Sequence, residues 1–301
     1  MSRLAAAVAL GLLLPAAHAA TSFDETRKLQ PDARVSLDNL KGLIQVDTWD
    51  RAEIRIAGQR GDGTTGLLIE GDAAELKVKI EYPEGGGSWF GGWGSDRADD
   101  SELRVTVPVG VALTVDSVTA SIVVRGVAGA TLEVDNVSGD VDLDTGANEV
   151  EVNTVSGDAK IAARSGDVDV ESVSGDVEVS GALVGRIQLE AVSGRLVLDS
   201  SGKAKQVDAG VVSGDIELRT GLQPGGKLKA ESLSGNLVVV LPRDASARVN
   251  ASSFTGSIRS PLGKVETEEH GPGSSLETTL GSGDGRIDLE TFSGDLQLRQ
   301  E

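Results

Sequence analysis

No cysteine occurs in the 301 residues, so neither disulfides nor thiolate metal sites can stabilise this chain. Aromatic residues are nearly as scarce, with three Trp, one Tyr and four Phe. There are only two histidines, His18 and His270. A zinc centre needs three or four ligands, usually His or Cys, and that chemistry has no material here. No apolar run approaches the roughly 20 residues that a membrane-spanning helix requires. Apolar residues at a 3.6-residue period are almost absent, which removes long amphipathic helices. Positive charge is also in deficit: 28 Lys and Arg stand against 47 Asp and Glu, a net charge of −19. Such a surface repels nucleic acid and anionic lipid and suits basic partners.

What is present is glycine, 39 residues of it, and alternation of apolar with polar residues at period two, the mark of strands. The segment 1–20 stands apart. Arg3, the apolar run from Leu4 to Leu14 and Ala17-His18-Ala19 have the form of a secretory signal peptide. Its removal would move the net charge from −19 to about −20. No Cys follows the run to accept a lipid. The expected location is therefore the periplasm or cell surface.

The rest is dominated by a repeat. Val137-Ser138-Gly139-Asp140-Val141 recurs as Val155-Ser156-Gly157-Asp158, Val173-Ser174-Gly175-Asp176 and Val192-Ser193-Gly194-Arg195. It returns as Val212-Ser213-Gly214-Asp215, Leu233-Ser234-Gly235-Asn236, Phe254-Thr255-Gly256-Ser257 and Phe292-Ser293-Gly294-Asp295. Ser165-Gly166-Asp167-Val168 is a further copy, and weaker ones such as Leu183-Val184-Gly185-Arg186-Ile187 lie between the main ones. Gly139, Gly157, Gly175, Gly194, Gly214, Gly235, Gly256 and Gly294 are the expected structural turns, since Gly accepts positive φ and Asp or Asn bonds nearby N–H groups. The apolar residue before each Ser falls at one place in every rung, and we expect that column to stack inside.

The architecture expected is all-β: a right-handed parallel β-helix (β-solenoid) with an irregular β-rich N-terminal cap. After the signal peptide at 1–20, residues 21–116 form the cap and early rungs. Residues 117–301 form the regular repeats, with a loop insertion at 260–283 and final strands at 285–299. One rung orders about 20 residues at roughly 1–2 kcal/mol each. It buries about five or six apolar side chains worth roughly 1.5–3 kcal/mol each. It is therefore not stable alone, and stability belongs to the array.

Once these motifs are in place, the chain resembles a bacterial domain of unknown function, built from β-strand repeats and provisionally labelled an adhesin. The likeness lies in Val35-Ser36-Leu37-Asp38-Asn39, Gly42-Leu43-Ile44-Gln45-Val46, Trp49-Asp50, the pair Val107-Pro108 and the serial Ser-Gly-Asp turns. The resemblance implies a parallel β-helix outside the cytoplasm and brings no catalytic residues with it.

Three constellations could carry function. Asp140, Asp158, Asp176, Asp215 and Asp295 hold equivalent turn positions, with Asp142, Asp169, Glu178 and Glu217 facing outward. Calcium bridging is one reading, but Arg195, Asn236 and Ser257 break the row, and turn caps on a solvated face are the simpler one. Trp89, Phe90 and Trp93 share a Gly-rich loop and are the expected ligand contact. The other reading of that loop is a lid folded onto the solenoid end. His270, in a Gly/Pro loop, has no neighbours that would complete a Ser-His-Asp centre. No metal or cofactor is expected. The functional expectation is a non-enzymatic envelope protein, with the solenoid as spacer, binding an envelope component or a surface glycan or protein. A self-associating scaffold and a β-helix carbohydrate-active enzyme are the alternatives.

Overall fold

The computed structural model describes residues 21–83, 98–164, 166–267 and 272–301. Among them every regular element is a strand, and the chain is all-β. The strands build two facing walls. Thr131–Ser138, Glu149–Ser156, Asp167–Ser174 and Arg186–Ser193 stack in parallel along the first. Val141–Thr145, Ala159–Ala163 and Val177–Gly181 do the same along the second. Each rung runs up one wall, turns at Ser-Gly-Asp, runs along the other and returns one strand further on.

Alternation fills the space between the walls. Leu132, Val134, Val141 and Leu143 of one rung are each no more than 1 % exposed. Each such side chain contributes about 1.5–3 kcal/mol by leaving water. The backbone ladder between rungs satisfies the peptide groups at the same time.

The Ser-Gly-Asp corner is built by contact between successive turns. Gly175 has φ of 126°, and a Cβ there would lie 2.2 Å from the carbonyl oxygen of Gly157. The aspartates bind the next turn: Asp176 N–H donates to Asp158 Oδ1 (2.9 Å) and Arg195 N–H to Asp176 Oδ1 (2.9 Å). Asn236 stands in the place of the carboxylate and accepts from Asp295 N–H (3.1 Å). Two hydrogen bonds from Ser257 to Asp295, backbone and hydroxyl, hold that carboxyl below the usual range.

The apolar column before each Ser is outside, against the expectation. Val137, Val155, Val173, Val192, Val212, Leu233, Phe254 and Phe292 are among the most exposed large apolar residues described. Phase decides this. Leu132, Val134 and Asn136 point inward, so Val137 points out. The inward place at the corner goes instead to Asn136, Thr154, Ser172, Ser232 and Thr291. A polar atom is useful there: Asn136 Nδ2 donates to Gly139 O (2.9 Å), and Ser253 Oγ accepts from Gly256 N–H (2.9 Å).

The same corner appears within the first part of the chain, expected as an irregular cap. Asp38-Asn39-Leu40-Lys41-Gly42 pairs in register with Asp116 to Ala120, and Gly42 has φ of 105°. The strand Ala112–Arg125 runs unbroken across position 116. Beyond these rungs the N-terminal end turns antiparallel, through Thr21–Lys28 on Glu53–Arg60 and Gly66–Gly71 on Glu75–Glu81.

The C-terminal end departs from sequence order. Gly285–Ser293 lies between the strand ending at Ser234 and Ala247–Ser253, parallel to both. Leu296–Gln300 likewise lies between Leu237–Leu241 and Ile258–Arg259. The rung formed by 285–300 is therefore the penultimate one. Residues 260–283, expected as a loop, include Ser274–Leu280, which pairs antiparallel with Ala247–Ser253, and Glu266–Thr267, which pairs with Ser274–Ser275. They close the open edge of the first wall.

Candidate functional site

The outward column is the chief surface feature. Eleven large apolar residues are exposed among those described, and nine form one ladder along the Ser-Gly-Asp corner. In spatial order these are Val118, Val137, Val155, Val173, Val192, Val212, Leu233, Phe292 and Phe254, between 40 and 55 % exposed. Parallel strands set the step at about 4.8 Å. The ring stack of Phe254 on Phe292, with centroids 4.8 Å apart and planes 13° from parallel, shows that step directly.

Two residues earlier on each strand lies a second column with the opposite character. Strand register aligns Asp38, Asp116, Asp135, Asn153, Glu171, Glu190, Gly210, Glu231 and Glu290. Together the columns line an open groove of about 1170 Å³ that runs from Asp38 to Leu233. A second hollow of about 470 Å³ continues it past Phe292 and Phe254. Neither is lined by Lys or Arg.

Crowded carboxylates raise one another's proton affinity. Burial, then Asp135 and Asp38, hold the Asp116 carboxyl above its usual range, against the pull of Lys77 and Lys79. Burial, then Glu171, Glu151 and Glu190, do the same at Asp169, with Arg186 opposing. Among the described residues the ion pairs of the acidic column lie towards its ends, Asp38 with Lys79 (2.6 Å) and Glu231 with Lys229 (2.7 Å).

The other expected residues are distributed elsewhere. Trp89, Phe90, Trp93 and His270 lie outside the described residues, as does the segment 1–20. Asp142 faces outward on the second wall and pairs with Arg125. The turn aspartates point at backbone N–H groups of the neighbouring rung. Among the described residues no three His, Asp or Glu side chains are grouped so as to hold a metal ion. Among them, too, no helix is long and apolar enough to cross a membrane. The ladder itself is readable in sequence. Val137, Val155 and Val173 fall out of phase with the inward alternation, a signal that hydrophobicity alone conceals.

Comparison with known proteins places this architecture. Its solved relatives include a protein from Parabacteroides distasonis, provisionally named as lipid binding: 13% identity, 93% of this chain, 96% of that chain, TM-score 0.51. Others are a provisional adhesin from Bacteroides fragilis (11% identity, 93% and 97% covered, TM-score 0.39) and a provisional cell adhesion protein from Clostridium sporogenes (9% identity, 93% and 100% covered, TM-score 0.22). No curated protein matches the chain. The family model described as Toastrack DUF4097 matches residues 39–299, and the chain belongs to that family.

Proposed function

We propose that this chain is a non-enzymatic, exported protein of the cell envelope that holds an envelope protein on the ladder groove. The stacked walls serve as a rigid spacer, coiled in the right-handed sense that parallel crossovers favour. The observation that carries this reading is the exposed apolar ladder. Nine large apolar side chains in one line exceed the scatter of single exposed residues that monomers tolerate. Selection for solubility alone would put polar residues at these positions, as it does elsewhere on the same wall. The name lipid binding, carried by one solved relative, likewise calls for a contact surface. The acidic column favours a protein partner over an anionic lipid surface. Titratable groups are plentiful, and those lining the ladder groove lie in a repeating column with no base among them.

The test is a pull-down from envelope fractions of the source bacterium with residues 21–301. Wild type is compared with Val155→Ser/Val173→Ser/Val192→Ser and with Trp89→Ala/Trp93→Ala. Retention of a defined protein by wild type and loss in the ladder variant supports the reading. The ladder variant should unfold within about 0.5 kcal/mol per site of wild type, since the sites are exposed. Loss in the tryptophan variant alone would move the contact to the 84–97 segment. Equal retention by all three would sink both contacts.

A further inference from the structure

We infer that the occupant of the groove is a basic amphipathic α-helix of the partner protein, with its apolar face on the ladder and its Lys and Arg side chains along the acidic column. This rests on the binding-face reading above and adds the partner's chemistry.

Charge complementarity is the first argument. The main groove is lined by seven carboxylates and no base. In its middle, Glu171 and Glu190 are direct neighbours beside Val173 and Val192, and Asp135 lies one rung beyond Asn153, beside Val137. A basic side chain laid here would relieve repulsion already present in the free protein. A second copy of this chain would set one acidic column near another and increase it. A polar glycan would leave the valines without a partner.

The backbone supplies the second argument. Along the groove, peptide groups are consumed by the parallel pairing of the first-wall strands, and at the corner beside it Gly194 N–H donates to Ser213 O (3.2 Å) and Gly214 N–H to Ser234 O (2.9 Å). The groove crosses the strands rather than following an edge, so a partner cannot join as an added strand. It must be read through side chains. A helix presents one apolar ridge position per turn, about 5.4 Å. That step is close to the rung spacing of about 4.8 Å. An extended strand sets its same-face side chains about 6.6 Å apart and falls out of step sooner. An 18-residue helix, about 27 Å long, would cover five or six rungs. Those rungs include the stretch from Val137 to Val212.

Three probes test this in titration calorimetry with residues 21–301: an 18-residue Leu/Lys amphipathic helical peptide, its scrambled-order counterpart and a Leu/Glu version. The expected result is saturable one-to-one binding of the first alone, weakening with added salt. Glu171→Gln/Glu190→Gln should weaken it about fivefold. Val155→Ser/Val173→Ser/Val192→Ser should weaken it at least about tenfold. Equal binding of the scrambled peptide would reduce the effect to bulk charge and overturn the inference. So would unchanged binding to the triple-serine variant. Ladder-dependent binding of phosphatidylcholine vesicles, without peptide binding, would overturn it in favour of lipid. Ladder-dependent capture of an envelope protein without peptide binding would overturn the helix and leave the binding face standing. Ladder-independent capture would remove the binding face itself.

Discussion

The two corners of each rung follow different rules. On the Ser-Gly-Asp side the turn has the same length in every regular rung, and its glycines touch. On the opposite side the link grows along the chain. Residues 146–148 and 164–166 suffice in early rungs. Later the register shifts between Asp199 and Lys203 and again between Ala204 and Gln206. The interval between main glycines lengthens from Gly139–Gly157 to Gly214–Gly235, and the extra residues are absorbed there. One corner therefore keeps a fixed geometry and presents a continuous line of side chains. The other tolerates insertion and presents nothing continuous. A surface that reads a partner over several rungs can be built only on the first.

That contrast can be broken most forcefully at the glycines. Gly175→Ala puts a Cβ against the Gly157 carbonyl at positive φ, and should cost about 3–5 kcal/mol in urea unfolding. Gly146→Ala, at the opposite corner, meets Ala128, its Cβ at 3.2 Å and its Cα at 3.9 Å with no carbonyl in the way, and should cost less than about 1 kcal/mol. Equal costs would show that the corners do not differ in the way described.

A smaller effect is expected from the turn carboxylates. Asp158→Ala leaves Asp176 N–H without its acceptor and should cost about 1 kcal/mol. Asp158→Asn should restore most of it, because Asn236 already does the same work. If Asn is as costly as Ala, charge rather than acceptance of the N–H is what the turn needs.

The smallest effect belongs to the first wall's outer face. Burial and neighbouring acids raise the Asp169 carboxyl in the folded chain. Its ionised form therefore costs stability at every pH above that raised value. The cost fades as pH falls through it and is gone below the ordinary carboxylate value of about 3.9. Asp169→Asn should raise the melting temperature by about 1–2 °C at pH 7 and by nothing near pH 3. A lower melting temperature at pH 7 would mean that Asp169 is held by a favourable contact.

The period-two alternation and the serial Ser-Gly turns make the strands, the turns and the all-β class legible in sequence. The position of the ladder is legible too, but only through phase. Counting inward residues from Leu132 places Val137 outside, whereas its hydrophobicity alone suggests the core. The displaced penultimate rung is not legible, because Ser293-Gly294 and Thr255-Gly256 are equivalent turns that carry no record of their neighbours. One faint trace exists: Phe254 and Phe292 are the ladder's two aromatic members, and they are the pair that stack. In sequence the acidic column is scattered charge. Only register aligns Asp135, Glu171 and Glu190 beside the valines.

The inserted rung imposes an order on assembly. Ala247–Ser253 is synthesised before Gly285–Ser293, yet it rests on that later strand and has no parallel neighbour without it. Sequence order delivers the lodger before the floor. Rungs up to Leu241 can stack as they emerge, each on its predecessor. Without residues 285–293, the side of Ala247–Ser253 that meets them has no partner in the native register. A chain interrupted in that interval would carry an unsealed edge, visible to any protease or chaperone nearby. The parallel stack is thus continuous from the strand ending at Ser234 to Ala247–Ser253 only when residues 285–293 stand between them.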